Sequence, residues 1–244
     1  MQLTYSEMKR LLVPGLRYSQ DIYEEIVTRY VTEDSTWLDA GCGWHLLPPW
    51  KLDAERALVG RARAAFGVDG DESALRKHRT LRMLAVSDLE RLPLDAGSVN
   101  LITCNVVVEH LRRPHLVFAE FARVLQPGGR AIVHTPNVYS HFVLAARCLP
   151  RPVKLRLERR LSGRDAVDIY PAHYRANSPR RLRTLMARAG LHEEFSRLIA
   201  SEAATKAAHP LVAALELALI RLTLHWRFKA LRTGIIASFV KAHA

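Results

Sequence analysis

The run Trp37-Leu38-Asp39-Ala40-Gly41-Cys42-Gly43 is a short apolar stretch that ends in an acid and then in two closely spaced glycines. Glycine admits positive φ and lets the backbone come close to a ligand, so a tight turn leaving a strand here can wrap an adenosine-containing cofactor. Ala65-Phe66-Gly67-Val68-Asp69 reads as a second strand closing in a carboxylate, followed by Gly70. An acid there can accept from both hydroxyls of a ribose, or it can simply open the helix read over 73–78. A third run closes at Asp88 and Leu89, and a β-branched run that starts at Ser98 closes at Asn105. The candidates for moving a proton are Glu109 and His110, the histidines at 134 and 141, and His173. Of 11 histidines most are expected to be structural, and His110 and His173 are favoured because both should face the pocket. Cys42, Cys104 and Cys148 have no metal-ligand spacing, so no metal site is expected and the thiols read as reduced and buried.

Alternating strand, loop and helix patterns from 37 to 137 must position these groups. They predict right-handed βαβ units and a mostly parallel sheet, with ligand at the carboxyl ends of its strands. An amphipathic helix over 18–30 precedes them, to pack on the sheet or cover the cofactor. A helix over 115–125 is stopped by Pro127-Gly128-Gly129, which turns the chain into a strand over 130–134. Residues 138–179 form a basic insertion suited to a substrate lid, with a helix near 142–148. Ser178 and Pro179 then open a helix that Gly190 stops, and 191–200 reads as the sixth strand. A strongly apolar helix over 210–228 lies within an insertion spanning about 203–230, and 234–241 reads as the last strand.

The series LDAGCG, GVD, SDLERLPLDAGSVNLITCN, VVVEHL and RVLQPGGRAIVHTPN resembles the class I, seven-stranded S-adenosylmethionine-dependent methyltransferases, in particular their small-molecule branch. The resemblance implies a three-layer, Rossmann-like α/β sandwich: a mostly parallel seven-stranded sheet with an antiparallel last strand, plus helical insertions. It also implies S-adenosylmethionine as cofactor. Asp39, Ala40, Gly41, Cys42 and Gly43 would hold its methionine end, Asp69 and Gly70 the ribose, Asp88 and Leu89 the adenine, and Asn105 the floor beneath the sulfonium. The chain departs from the family pattern at His45, where many relatives have a third glycine, and the loop then runs on through Leu46-Leu47-Pro48-Pro49-Trp50. It departs again at Asn100, in place of an aspartate just before the fourth strand, where little effect on the pocket is expected.

With 244 residues, 49% of them hydrophobic, the chain can fill one large core, read as a single domain whose cofactor-binding part spans about 31–137. The start lacks a secretory signal, so a cytoplasmic protein is expected. A net charge of +12, concentrated in the second half, attracts nucleic acid, an anionic membrane or a phosphorylated substrate without choosing among them. No nucleic-acid-binding motif accompanies it, so nucleic acid is not the expected partner. The 210–228 helix is too charged for a span; it reads as peripheral membrane contact, core packing or a homodimer contact. The leading functional reading is methyl transfer to a small-molecule or lipid-linked acceptor. An RNA methyltransferase rests on charge alone, a non-catalytic cofactor-binding scaffold rests on His45, and a dehydrogenase lacks the third glycine its loop needs.

Overall fold

The computed structural model describes residues 4–148, 170–201 and 210–243. The helices are α1 (Tyr5–Leu12), α2 (Ser19–Tyr30), α3 (Leu52–Arg61), α4 (Glu72–Leu75), α5 (Pro114–Val124), α6 (His141–Cys148), α7 (Pro179–Arg188) and α8 (Pro210–Leu224). The strands are β1 (Thr36–Ala40), β2 (Ala64–Asp69), β3 (Met83–Val86), β4 (Val99–Asn105), β5 (Leu125–Pro136), β6 (Leu191–Ile199) and β7 (Gly234–Lys241). They form one seven-stranded sheet in the order β3-β2-β1-β4-β5-β7-β6. The first five strands pair in parallel, and β7 runs antiparallel between β5 and β6. The chain therefore has the Rossmann-like α/β sandwich expected, with its last strand reversed. The expected insertions extend beyond the described residues, at 149–169 and 202–209.

Period-two alternation builds the three layers. Leu38, Ile102, Val133 and Ile235 point to one face, where Phe118, Phe121, Leu182 and Met186 of α5 and α7 cover them. Their neighbours Trp37, Leu101, Ile132 and Ile236 point to the other face and meet Tyr23, Ile26, Val27 and Leu58 of α2 and α3. A third cluster joins Met8, Val13 and Leu16 at the N-terminus to Ala213, Leu217 and Ile220 of α8.

Two local readings are corrected. Strand β5 begins at Leu125, which pairs with Val99, and the next pairing is Arg130 with Leu101. Pro127-Gly128-Gly129 is thus a bulge inside a long strand, not a turn leading into a short one. Asn100 lies within β4, where its Oδ1 accepts from the Thr36 N–H at 2.9 Å and its Nδ2 donates to the Asp34 carbonyl at 2.9 Å. It ties the start of β1 to the neighbouring strand.

Candidate cofactor and acceptor site

The turn after β1 uses both of its glycines in the left-handed region, Gly41 at φ +76° and Gly43 at +54°. A Cβ on Gly41 would stand 2.5 Å from the Val107 side chain, so only glycine lets this turn lie against the loop after β4. A Cβ on Gly43 or Gly70 would meet open space, so a group can approach the backbone at both. Asp69 stands between them at the tip of β2. Its Oδ2 accepts from the Gly43 N–H at 2.8 Å and its Oδ1 from the Asp71 N–H at 2.9 Å. A carboxylate offers about four lone-pair sites, so each oxygen keeps one for a further donor, the arrangement a vicinal diol requires. The cap of α4 is Asp71, whose side chain accepts from Ser73 and Ala74 N–H groups. Farther along the carboxyl edge, exposed Asp88 accepts from the Glu90 N–H and Leu89 is buried.

Ala40 is buried within β1, and Cys42 is buried against Gly67, where a Cβ would come 2.7 Å from its Sγ. Burial pushes the Cys42 thiol up, so it packs as a neutral group. Asp39 is buried as well. Its Oδ1 accepts from Thr103 Oγ1 at 2.5 Å, and Thr103 accepts from Trp37 Nε1 at 2.7 Å. Burial raises the Asp39 carboxyl from 3.8 to about 7, opposed by the Thr103 bond and assisted by Glu55 and Asp69. Folding therefore takes up a proton between those values, and the stability this confers is lost as pH rises through about 7. His134 acts in the opposite sense, since burial lowers it from 6.5 to about 4 and its contribution is lost as pH falls. Asn in place of Asp39 keeps the acceptor for Thr103 without the charge. The melting temperature of Asp39→Asn relative to the parent should therefore climb between about pH 4 and pH 7, the span of the shift, and level off above it, with the His134 effect common to both. A pH-independent difference would remove the assignment.

Asn105, the last residue of β4, is a junction. Its amide exchanges hydrogen bonds with Gln20 of α2, with Oδ1 and Nδ2 at 3.3 and 2.9 Å, and its Nδ2 also reaches the Leu46 carbonyl at 3.4 Å. His134 Nδ1 lies 2.8 Å from Asn105 Oδ1, and the imidazole stacks on Tyr23 with centroids 5.6 Å apart. Val106 follows at φ 59°, a costly conformation for a β-branched residue, pinned by its N–H bond to the His134 carbonyl at 2.8 Å. Helix α2 thus packs on the sheet, one of the two placements its sequence suggested, and brings Gln20 to the carboxyl end of β4. The loop that departs from the family pattern at His45 is held by Glu55, whose Oε2 accepts from the Leu46 and Leu47 N–H groups at 3.1 and 2.9 Å. Thr80 Oγ1 donates to the other oxygen.

His110 and His173 come together around Glu109. The Glu109 backbone carbonyl accepts from the His173 N–H at 2.6 Å, and the Glu109 side chain, itself buried, accepts from Thr135 Oγ1 at 3.0 Å. His110 Nδ1 faces the Pro171 carbonyl at 3.0 Å. A carbonyl only accepts, so Nδ1 carries a proton, and Nε2 lies 3.9 Å from Glu109 Oε1. Desolvation and then Arg112, Arg175 and His110 lower His173. Tyr170, edge-on to His110, donates to Asp71 Oδ2 at 2.6 Å and so links the acceptor side to the tip of β2. His134 lies on β5 and His141 on α6.

Gln20, Glu55 and Tyr170 were not singled out by sequence. A weak signal exists for the first two: Gln20 shares the helical spacing of buried Tyr23 and Val27, and Glu55 that of buried Leu58. A separate groove of about 590 Å³ between Leu92, Asp95 and Arg123 is structural, because Arg123 already serves Glu120 and the Leu92 and Leu94 carbonyls.

Residues 38–133 match the family model described as a methyltransferase domain. Among curated proteins, the chain is 31% identical over 107 residues to a ubiquinone biosynthesis O-methyltransferase of Coxiella burnetii, covering 41% of this chain and 43% of that one. It is 42% identical over 65 residues to a malonyl-[acyl-carrier protein] O-methyltransferase of Hahella chejuensis, covering 26% and 23%. The matches thus span less than half the length of these relatives. A solved S-adenosylmethionine-dependent methyltransferase of Methanosarcina mazei shares the fold at a TM-score of 0.59 and 15% identity, over 90% of this chain and 98% of that one.

Proposed function

From a chain that carries a class I S-adenosylmethionine-dependent methyltransferase domain over residues 38–133, we propose an enzyme that moves a methyl group from S-adenosylmethionine to a small-molecule or lipid-linked acceptor. The observation that carries this reading is Asp69, fixed by two backbone N–H groups between glycines with open space beside them, with lone pairs left for the two ribose hydroxyls. The residues fit the cofactor in other respects too. On this reading the turn of Gly41 and Gly43, open beside Gly43, would take its methionine end, Asp88 and the Leu89 backbone the adenine edge, and Asn105 the floor beneath the sulfonium. When bound, the cofactor would supply an electrophilic methyl carbon on a sulfonium, which an acceptor can bond in line as a neutral thioether leaves.

The protein's own task is to align the acceptor and exclude water. Gln20 and Tyr23 close the site from above the sheet. Tyr170 straps its side. His110 Nε2 is placed to take a proton from an acceptor hydroxyl, with the Pro171 carbonyl fixing the tautomer. His173 stands beside it as the second candidate.

Calorimetric titration tests the reading. Micromolar binding of S-adenosylmethionine and S-adenosylhomocysteine, with none of NAD, is the expected result. Binding of NAD alone would overturn it. Labelled methyl appearing in lipid extract rather than RNA extract would support the acceptor class. Transfer to RNA with a steep salt dependence would replace it.

A further inference from the structure

Helix α8 presents an apolar surface outward as well as inward. Ala213, Leu217 and Ile220 face the core, while Leu211 is 74% exposed, Leu215 63% and Leu222 46%, with Leu219 on the same outer stripe. The exposed apolar series continues without a break in chain through Leu224, Trp226, Phe228 and Leu231 in the 3₁₀ segment that follows. A contiguous exposed patch of this kind marks an interaction surface. We propose that this α8 face and the Trp226–Leu231 segment dock the protein on an anionic membrane surface, with α8 lying in the interface plane.

Charge selects the occupant. From 210 to 243 the chain has one acidic residue, Glu216, and it is buried. Among the described residues from 210 to 231, the exposed charged ones are cations: Arg221, Arg227 and Lys229. Arg227 packs over the Trp226 ring at 5.6 Å, and Arg221 reaches back to the Leu12 carbonyl at 3.1 Å. In a symmetric self-interface the same patch meets itself, so these cations would face one another without a carboxylate to answer them. Anionic head groups supply that answer, and an apolar stripe rimmed by Arg, Lys and an aromatic side chain is the composition of an interfacial helix. Among the described residues no helix is long and apolar enough to cross a membrane, which agrees with a helix lying on one. The face is held to the body by the cluster it forms with Met8, Val13 and Leu16, so docking requires no unfolding.

The test uses the full chain with vesicles of phosphatidylcholine alone and of phosphatidylcholine with roughly one-third phosphatidylglycerol, read by flotation. The protein should float with the anionic vesicles, less with the neutral ones, and less again at high salt. The double variant Leu211→Ser, Leu215→Ser should lower the bound fraction about tenfold, and Arg227→Glu with Lys229→Glu should lower it on anionic vesicles. Circular dichroism and cofactor calorimetry should be unchanged in both, which keeps a failure here separate from a failure of the methyl-transfer reading. Parent protein that stays unbound on anionic vesicles would overturn the proposal, as would binding that both variants retain. A concentration-dependent dimer, dispersed by the serine variant in ultracentrifugation, would assign the face to a second copy instead.

Discussion

Replacing Asp69 by asparagine should weaken S-adenosylmethionine binding by about a hundredfold while the protein stays folded. The carboxylate spends one lone pair per oxygen on the Gly43 and Asp71 N–H groups. Two further bonds, to a ribose diol, are each worth about 1.5–3 kcal/mol when the acceptor is charged. Asparagine keeps one acceptor oxygen and turns the other into a donor, so it loses one diol bond, the charge assistance on the second, and one of the backbone bonds. The ligand loss is then about 3 kcal/mol, or two orders of magnitude in Kd. Loss of one backbone bond should lower the melting temperature by about 5 °C at most. Asp71→Asn is the control. It alters the α4 cap and the Tyr170 bond but should leave affinity within about threefold, since Asp71 is the structural acid of the pair. Calorimetry with both variants reads the difference, and a folded Asp69→Asn that binds like the parent would strike out the ribose assignment.

The strand tips were legible because each closes a short apolar run with a group of distinct chemistry: Asp39 and the glycines after β1, Asp69 after β2, Asn105 after β4. The last strand and the apolar helix before it were likewise visible in the pattern, while the reversal of β7 was implied by the family resemblance. What stayed hidden depends on contacts between distant parts of the chain. Gln20 meets Asn105 across 85 positions, and no local period announces that pairing. Pro127-Gly128-Gly129 carries the signal of a turn, and only the pairing of Leu125 with Val99 shows that the strand has already begun. His134 was a candidate for proton transfer by residue type alone; enclosure on Asn105 and Tyr23 keeps it neutral and gives it the work of holding the β4 tip. Asp69, which its sequence also allowed to open the following helix, leaves that work to Asp71, whose side chain accepts from the Ser73 and Ala74 N–H groups.

Glu55→Ala should be the most destabilising single change near the site. The departure at His45 lengthens the loop after Gly43, and a longer loop that buries Leu46 and Leu47 brings their backbone N–H groups out of water with no strand or helix to receive them. Glu55, 1% exposed, receives both on one oxygen and the Thr80 hydroxyl on the other. Alanine leaves three donors without a partner and a void where the carboxylate stood. At about 1–3 kcal/mol for each buried donor, partly relieved by entering water, the loss should be about 3–5 kcal/mol. For a chain of this length that corresponds to a fall in melting temperature of roughly 10 °C. Glu55→Gln should recover only part of it, because its amide nitrogen would face a donor. Since Leu46 also accepts from Asn105, the loosened loop should carry the pocket floor with it and weaken cofactor binding more than the stability loss alone. Scanning calorimetry with and without S-adenosylmethionine separates these effects. An alanine variant that melts with the parent would mean that the loop is held by its leucines rather than by the carboxylate, and that the replacement of the third glycine by His45 has no polar counterpart in α3.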